Sequence, residues 1–276
     1  LMSELHDSDL NRDLDSIPGI WRKSNTVKNY LKEILRETSQ ELVPENLDRI
    51  NTKVNRLKYI LNRTIGCSTT FEKRREELSI LENVPISHIS DEDVTESFWK
   101  MVQPDGPLVK YLLSSNISLV IGNTLFVHGA IDRKSIGYIP GSGSLSFQHG
   151  AKQNSSMSVQ EWCSQLNHWA KKEIEEFKRR PLWNKERNYR GGAALINYVS
   201  VNGENTGTVI RNRFLKEGDP SYVDNQVADW LNKSSIHRVI VGHAPHGDSP
   251  SIFHNHYGDL EIINADTSYS DESASD

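Results

Sequence analysis

Two apolar runs of the sequence each end at a histidine with a glycine beside it. The first is "LFVHG", Leu125–Gly129, and the second is "VIVGH", Val239–His243. Short apolar runs rich in β-branched and aromatic residues are typical of buried strands. Strand ends hold side chains rigidly, while the loop beyond them stays open to a ligand. We therefore predict two imidazoles at the ends of two strands.

These histidines have two interpretations from the pattern alone. A histidine beside apolar residues is often a hydrogen-bonded core residue. Neutral imidazole is also a common ligand of Zn, Fe and Mn. His246 follows His243 across Pro245, which stiffens the link between them. Two or three imidazoles at neighbouring strand ends would form part of a metal site, and the pattern leaves both interpretations open.

The spacing of the apolar residues changes near the middle of the chain. Residues 25–113 carry apolar side chains mostly at helical spacing. After them, "ISLVIGNTLFVHG" contains two β-rich runs around Gly122–Thr124, which predicts a hairpin with a tight turn. We therefore divide the chain into a mostly helical region, 1–114, and a second region, 115–276.

The clearest helix of the sequence begins at Ser158. Ser158 and Glu161 match a capping box, and Pro181 marks the end of the helix. The apolar residues of this helix form one stripe: Val159, Trp162, Cys163, Leu166, Trp169, Ala170, Ile174 and Phe177. A further helix in 222–233 precedes the strand His237–His243, and "SIFHNHYGDLEIINAD" predicts a final hairpin. Mixed strands and helices indicate the α/β or the α+β class.

The composition excludes several classes of protein. A net charge of −5 over 276 residues gives no basic surface for nucleic acid. No apolar run approaches the ~20 residues of a membrane-spanning helix. The two cysteines, Cys67 and Cys163, are too few for a disulfide framework and suit a reducing compartment. We therefore expect a cytoplasmic protein that neither spans a membrane nor binds nucleic acid.

The two histidine motifs, in this order, resemble the last two motifs of the calcineurin-like metallophosphoesterases. The matching segments are "GNTLFVHG", Gly122–Gly129, and "VIVGHAPHGD", Val239–Asp248. "RGGAALINYV", Arg190–Val199, and "ADTSYSD", Ala265–Asp271, are similar to a protist and algal branch of that family. The resemblance covers roughly residues 115–270. It implies an incomplete four-layer α/β/β/α sandwich with a helical insertion.

The resemblance implies a phosphatase that acts on a phosphate ester or a phosphoprotein. Hydroxide would attack phosphorus at a centre of two divalent metals, Mn, Fe or Zn. His128 and His243 would ligate the same metal. His246 follows His243 by three residues, where the family usually has two. We include His246 among the candidate ligands. Three roles are open for it: to bind the other metal, to contact the phosphate, or to do neither.

Four further residues extend the candidate site. Arg190 precedes a Gly-Gly pair and is a candidate catalytic residue, because a guanidinium binds phosphate through two hydrogen bonds; the alternative is a surface arginine at a helix start. Asp266 is a candidate to orient His243 through its second ring nitrogen, and the alternative is a turn carboxylate. His254 and His256 have metal-like spacing, but their place at a hairpin turn favours solvated side chains.

The chain lacks the other motifs of the family. Its sequence contains no Asp-x-His, no Gly-Asp-x-x-Asp and no Gly-Asn-His/Arg-Asp, which supply the carboxylates and the asparagine of both metal sites in the family. We therefore expect the chain to be the C-terminal part of a phosphatase, inactive by itself, with those motifs encoded before Leu1. One alternative is a pseudo-phosphatase that binds a partner through the helices of 25–113, and the retention of His128 and His243 argues against it. The other alternative is an unrelated α/β binding protein whose histidines are structural.

Overall fold

The computed structural model describes residues 5–6, 10–17, 24–65, 67–141, 152–184, 189–199, 207–216, 218–255, 257 and 259–267. The chain divides into two compact units, Leu1–Lys110 and Tyr111–Asp276. This boundary lies near the one that the sequence places at residue 114. Each unit has a buried apolar core of its own.

The first unit contains helices and turns in the part that the structure describes. Its helices are α1 (Val27–Glu37), α2 (Pro44–Ile50), α3 (Lys53–Tyr59), α4 (Thr70–Glu82) and α5 (Asp91–Met101), and α6 (Pro107–Ser114) leads into the second unit. A π-helical turn, Ile60–Ile65, continues α3. Pro44 separates α1 from the following helices, and it also begins α2, because its fixed φ suits a first helical turn.

The second unit combines helices with a five-stranded sheet. The described helices are α7 (Val159–Arg179), α8 (Ala193–Val199) and α9 (Asn225–Lys233), and the sheet contains β1 (Ser118–Ile121), β2 (Thr124–Val127), β7 (Arg238–Val241), β8 (Ser251–Asn255) and β9 (Leu260–Asn264). Two small ribbons pair β3 (Tyr138–Ile139) with β4 (Lys152–Gln153) and β5 (Leu215–Lys216) with β6 (Asp219–Pro220). The α/β class is therefore confirmed, whereas the described residues do not show four layers.

The strand order of the sheet is β1-β2-β7-β9-β8. β1 and β2 form the predicted hairpin, and Gly122 has the left-handed φ of 61° that suits the first central position of a type II′ turn. β8 and β9 form the predicted final hairpin. β2, β7 and β9 run parallel to one another. Their C-terminal ends therefore share one edge of the sheet, where His128 follows β2 and His243 follows β7.

One face of the sheet packs on α7 and α9. The side chains that alternate onto this face are buried: Leu125, Val127, Val239, Val241, Leu260 and Ile262. The rings of Trp162 and Trp230 pack edge to face at 5.4 Å in this core. The predicted stripe of α7 is buried from Val159 to Ile174. Ser158 caps α7, but the Glu161 carboxylate accepts from Gln165, so only half of the predicted capping box is present.

The opposite face carries an apolar row across all five strands. The strand register aligns Leu119, Phe126, Ile240, Ile263 and Ile252, in that order. The two outer residues are 43% and 61% exposed, and the three inner ones are partly buried. We call this row the open face. Apolar rows of this kind are usual on a sheet face that packs against another layer of secondary structure. The open face is therefore suited to packing against a further layer.

A candidate metal centre at the sheet edge

His128 and His243 lie side by side at the C-terminal edge of the parallel strands. The centroids of their rings are 5.1 Å apart, and the ring planes are inclined by 57°. The ladder between β2 and β7 continues past both strand ends, because the Gly242 N–H donates to the His128 carbonyl at 2.9 Å. The structure thus brings together the two imidazoles that the sequence places at strand ends.

Gly129 allows another segment of the chain to cross next to β2. We call residues 207–214 the crossing segment. The Gly129 N–H donates to the Val209 carbonyl at 2.7 Å, and the Ala130 N–H donates to the Asn212 carbonyl at 2.8 Å. A Cβ at position 129 would lie 2.6 Å from the Asn212 carbonyl oxygen. Glycine is therefore required there for close backbone approach.

The backbone of His243 has an unusual conformation for a residue with a side chain. Its φ is 70°, in the left-handed region, which costs on the order of 1 kcal/mol. Asn264, which is 3% exposed, holds the turn by donating to the Ala244 carbonyl at 2.7 Å. The other atom of its amide, Oδ1, accepts from the Asp266 N–H at 3.3 Å. Strain that is held in place in this way often occurs at functional sites.

The surroundings of His243 favour its neutral form. Partial burial lowers the pKa of the ring below its ordinary 6.5, and the neighbouring His128 and Arg213 lower it further. The Asp266 carboxylate and a hydrogen bond with the backbone of Arg211 oppose this shift. A neutral imidazole has a free lone pair on one nitrogen, which is the form that binds metals.

A cleft of about 1080 Å³ borders the two imidazoles and Asp266. Its other walls are mainly apolar, and they include Leu119, Phe126, Ile174, Leu195 and Ile240. Part of the open face therefore lines this cleft. Asp266 lies close enough to His243 to raise its pKa electrostatically, although it does not outweigh burial.

Comparison with known proteins gives no match. No family model, no curated protein and no solved structure is similar to the chain. In the part of the chain that the structure describes, no helix is both long and apolar enough to cross a membrane. The functional assignment therefore depends on the geometry of the two imidazoles.

Other predicted site residues have their contacts elsewhere. Nδ1 of His246 is 2.9 Å from the Ser251 hydroxyl, and the Arg190 guanidinium lies 4.8 Å over the ring of Trp183. Neither residue lines the cleft. Among the described residues, no three His, Cys, Asp or Glu side chains gather into a metal-binding group. The roles of His246 as a ligand and of Arg190 in catalysis stay predictions.

The two remaining histidine candidates give no support to a second site. His254 is exposed on β8 and aligns with Glu261 near the start of β9, away from the edge that carries His243. His256 lies outside the described residues. The structure therefore places His254 away from the cleft.

Three residues of the site could not be recognised from motif spacing. Asn264 holds the turn after His243. Arg211 and Arg213, in the crossing segment, lie close enough to His243 to shift the pKa of its ring. The triplet "RNR", Arg211–Arg213, with its two positive charges, was a weak signal in the sequence. No sequence signal marked Asn264, because its role depends on a tertiary contact with Ala244.

Proposed function

We propose that the second unit is the C-terminal part of a calcineurin-like metallophosphoesterase, in which His128 and His243 hold one divalent cation. The observation that carries this proposal is the 5.1 Å separation of their ring centroids at adjacent parallel strand ends. An ion bound about 2.1 Å from one nitrogen of each ring accommodates centroid separations up to about 6 Å. The ring pair therefore fits one shared ion.

The contacts of the two histidines also support ligation. Metal-binding histidines usually engage their second ring nitrogen with a carbonyl, a carboxylate or water, which fixes the ring. The backbone of Arg211 is close enough to the His243 ring to raise its pKa as a hydrogen-bonding partner, which is an interaction of this kind. The hydrogen bond of Gly129 holds the loop that follows β2, and the hydrogen bond of Asn264 holds the loop that follows β7. The backbone that carries the two rings is therefore held in place before any ligand binds.

Two imidazoles supply only part of a two-metal centre. The described residues add no carboxylate that completes a group of three ligands. The proposal therefore includes carboxylates and an asparagine from further sequence motifs. Two cations, Mn, Fe or Zn, would lower the pKa of water and neutralise phosphate oxygens. The substrate that fits such a centre is a phosphate ester or a phosphoprotein.

The open face supports the proposed α/β/β/α arrangement. Helices α7 and α9 already cover the other face of the sheet, so the described unit supplies one helical layer and one sheet. Two sheets pack about 10 Å apart through apolar side chains. The row from Leu119 to Ile252 offers such side chains on every strand. A second sheet on this face would complete the sandwich.

The proposal is tested by hydrolysis of a chromogenic phosphate ester with added Mn or Zn. Three proteins are compared: this chain, a longer protein with the missing motifs, and the longer protein with His243→Ala. We expect no turnover by the chain alone, metal-dependent turnover by the longer protein, and loss of that turnover with His243→Ala. His254→Ala in the longer protein is the matched control, since His254 is exposed and lies at the other end of the strands.

Turnover by the chain alone would contradict the proposal, because its metal site would then be complete. Activity that survives His243→Ala would contradict it as well. A longer protein that binds metal but never turns over would favour the inactive, partner-binding alternative.

A further inference from the structure

Helix α4 carries apolar side chains on two of its faces. The inner face buries Phe71 and Leu78 in the core of the first unit. Ile80 and Leu81 lie outside this core, and they are 79% and 68% exposed, the highest values among the large apolar side chains that the structure describes. Single exposed apolar residues are usual on soluble proteins, whereas contiguous ones often mark an interaction site. The first unit therefore leaves part of α4 uncovered.

Ile86 adds to this apolar surface from the turn that follows α4. It begins a 3-10 helical turn, Ile86–His88, that contacts α4, and its side chain is 46% exposed. The end of α4 is fixed, because Asn83 has a left-handed φ of 54° and the Val84 N–H donates to the Ser79 carbonyl at 3.1 Å. A surface that is already rigid loses little conformational entropy when it binds a partner. We call the three exposed apolar residues the α4 patch: Ile80, Leu81 and Ile86.

Carboxylates flank the α4 patch. Glu76 and Glu77 lie one helical turn before it, Glu82 follows its helical part directly, and all three are exposed. Glu77 pairs with Arg74 at 2.6 Å, whereas neither Glu76 nor Glu82 forms an ion pair within the described residues. Residues 72–96 contain eight acidic and three basic side chains, a net charge of −5. The surroundings of the patch are therefore negatively charged.

The cations of α4 do little to offset this charge at the patch. The side chains of Arg74 and Arg75 are largely buried. Arg74 donates to the Ser97 hydroxyl at 3.1 Å, and Arg75 pairs with Asp91, so both guanidinium groups are held against α5. Lys73 is exposed, but it lies more than two turns before the end of α4. The exposed charge beside the patch is therefore mainly that of the glutamates.

We propose that the α4 patch docks a basic amphipathic helix of a partner protein. The apolar face of that helix covers the patch, and its lysines or arginines pair with Glu76 and Glu82. Amphipathic helices dock through apolar residues spaced by three and four positions, and complementary charges select the partner. A second copy of this chain fits less well, because a symmetric contact through α4 would place the same carboxylates opposite one another. The inference concerns the first unit and does not depend on the proposed phosphatase function.

The probe is a synthetic peptide of leucine and lysine whose leucines form one face of a helix, and the matched peptide has glutamate in place of lysine. Binding to this chain is measured by calorimetry at low and at high salt. The lysine peptide should bind, more weakly at high salt, and the glutamate peptide should not bind. Leu81→Ser should weaken binding of the lysine peptide at least about 10-fold, because it removes an apolar contact of the size of a buried leucine.

Further variants test the charges and the place of binding. Glu76→Gln combined with Glu82→Gln should weaken binding about 3-fold at low salt and reduce its dependence on salt. The matched controls are Ile252→Ser and Glu175→Gln, which remove an exposed apolar side chain and an exposed carboxylate of the second unit. Both control variants should bind the lysine peptide like the wild type.

Several results would overturn the inference. These are a lysine peptide that does not bind, and Leu81→Ser protein that binds it as tightly as the wild type. Loss of binding with Ile252→Ser in place of Leu81→Ser would mean that the peptide occupies the open face. Equal binding of the glutamate peptide would contradict a basic partner. Because Leu81 is exposed, Leu81→Ser protein should unfold in urea like the wild type, which excludes unfolding as the cause of a loss.

Sedimentation velocity tests a second copy of the chain as the occupant. We expect no self-association that depends on Leu81. A dimer of the wild type that Leu81→Ser dissociates would assign the α4 patch to a second copy and overturn the inference. A dimer that persists in Leu81→Ser protein would use another surface, and it would leave the patch open to the basic helix.

Discussion

The backbone N–H of Gly242 donates a hydrogen bond to the carbonyl of His128, at 2.9 Å. This bond extends the parallel ladder of β2 and β7 by one step beyond the last strand residues. Because Gly242 directly precedes His243 in the chain, this bond couples the position of His128 to that of His243. The ring pair is a continuation of the sheet, which makes it more rigid than a site built on loops alone.

We predict that Gly129→Ala destabilises the protein and Gly242→Ala does not. A Cβ at position 129 would lie 2.6 Å from the Asn212 carbonyl oxygen, whereas one at position 242 would lie 3.7 Å from the His128 carbonyl oxygen. Forced displacement of packed backbone typically costs about 1–3 kcal/mol. Urea unfolding of both variants measures the difference. Equal stabilities would show that the crossing segment does not pack against Gly129.

The pKa of His243 should lie below 6.5 in the metal-free protein and rise in the variant His128→Ala. Burial is the largest cause of the lowered pKa and the charge of His128 is the second, so the variant should move the pKa toward 6.5 without reaching it. An NMR titration of the ring measures both values. A His243 pKa that does not respond to His128→Ala would mean that the two rings are farther apart than 5.1 Å.

The same shift makes the stability depend on pH. Because the folded pKa of His243 is below its unfolded value of 6.5, the unfolded chain binds more protons at this residue as the pH falls below 6.5. Its contribution to stability is thus complete above pH 6.5 and is lost as the pH falls through the folded pKa. His243→Asn, which tolerates left-handed φ, should unfold with a weaker pH dependence. An identical dependence in both proteins would contradict the shift.

We predict that Asn264→Ala weakens metal binding through the position of His243. Asn264 touches no ligand itself, but it holds the Ala244 carbonyl and the Asp266 N–H. Loss of such supporting contacts typically costs 10- to 100-fold in metal affinity, as an order of magnitude. Asn264→Asp keeps an acceptor but cannot donate, so it should also weaken binding.

Asn255→Ala is the matched control for Asn264→Ala. Asn255 is also buried and bonds to the backbone of Val223 and Tyr257, but it lies at the other end of β8 and β9. It should lower the stability and leave the metal affinity unchanged. If both variants lose affinity equally, the effect is global and Asn264 has no particular positioning role.

The two faces of the sheet should respond differently to truncation. Ile262→Ala removes a fully buried side chain from the covered face and should cost about 2–5 kcal/mol. Ile252, on the open face, is 61% exposed, so Ile252→Ala should cost less than about 1 kcal/mol in this chain. In a protein with the proposed second sheet, Ile252→Ala should become more costly. Equal costs in this chain would show that the open face is already covered.

Local patterns explain which parts of the fold could be predicted. The β1–β2 hairpin follows from two short β-rich runs around Gly122, and α7 follows from a stripe at helical spacing after Ser158. In both cases the determining residues lie close together in the sequence. The prediction of a capping box was wrong in part, because the Glu161 carboxylate accepts a hydrogen bond from Gln165 on the next turn of the helix.

Tertiary contacts explain what could not be predicted. The pairing of β2 with β7 joins distant segments, and only the repeated histidine–glycine context suggested it. The crossing segment beside Gly129 and the role of Asn264 depend on contacts with no local pattern. Arg190 attracted attention because two glycines follow it, whereas the structure places Arg213 next to His243.

The shared metal site is tested by adding Mn²⁺ to the metal-free chain and following the ring resonances of its histidines, since this paramagnetic ion broadens nuclei close to it. We predict that the resonances of His128 and His243 broaden together and before those of His254, and that His128→Ala greatly reduces the effect on His243. Broadening that begins at His254, or that reaches His243 undiminished in His128→Ala, would contradict a metal held by both imidazoles.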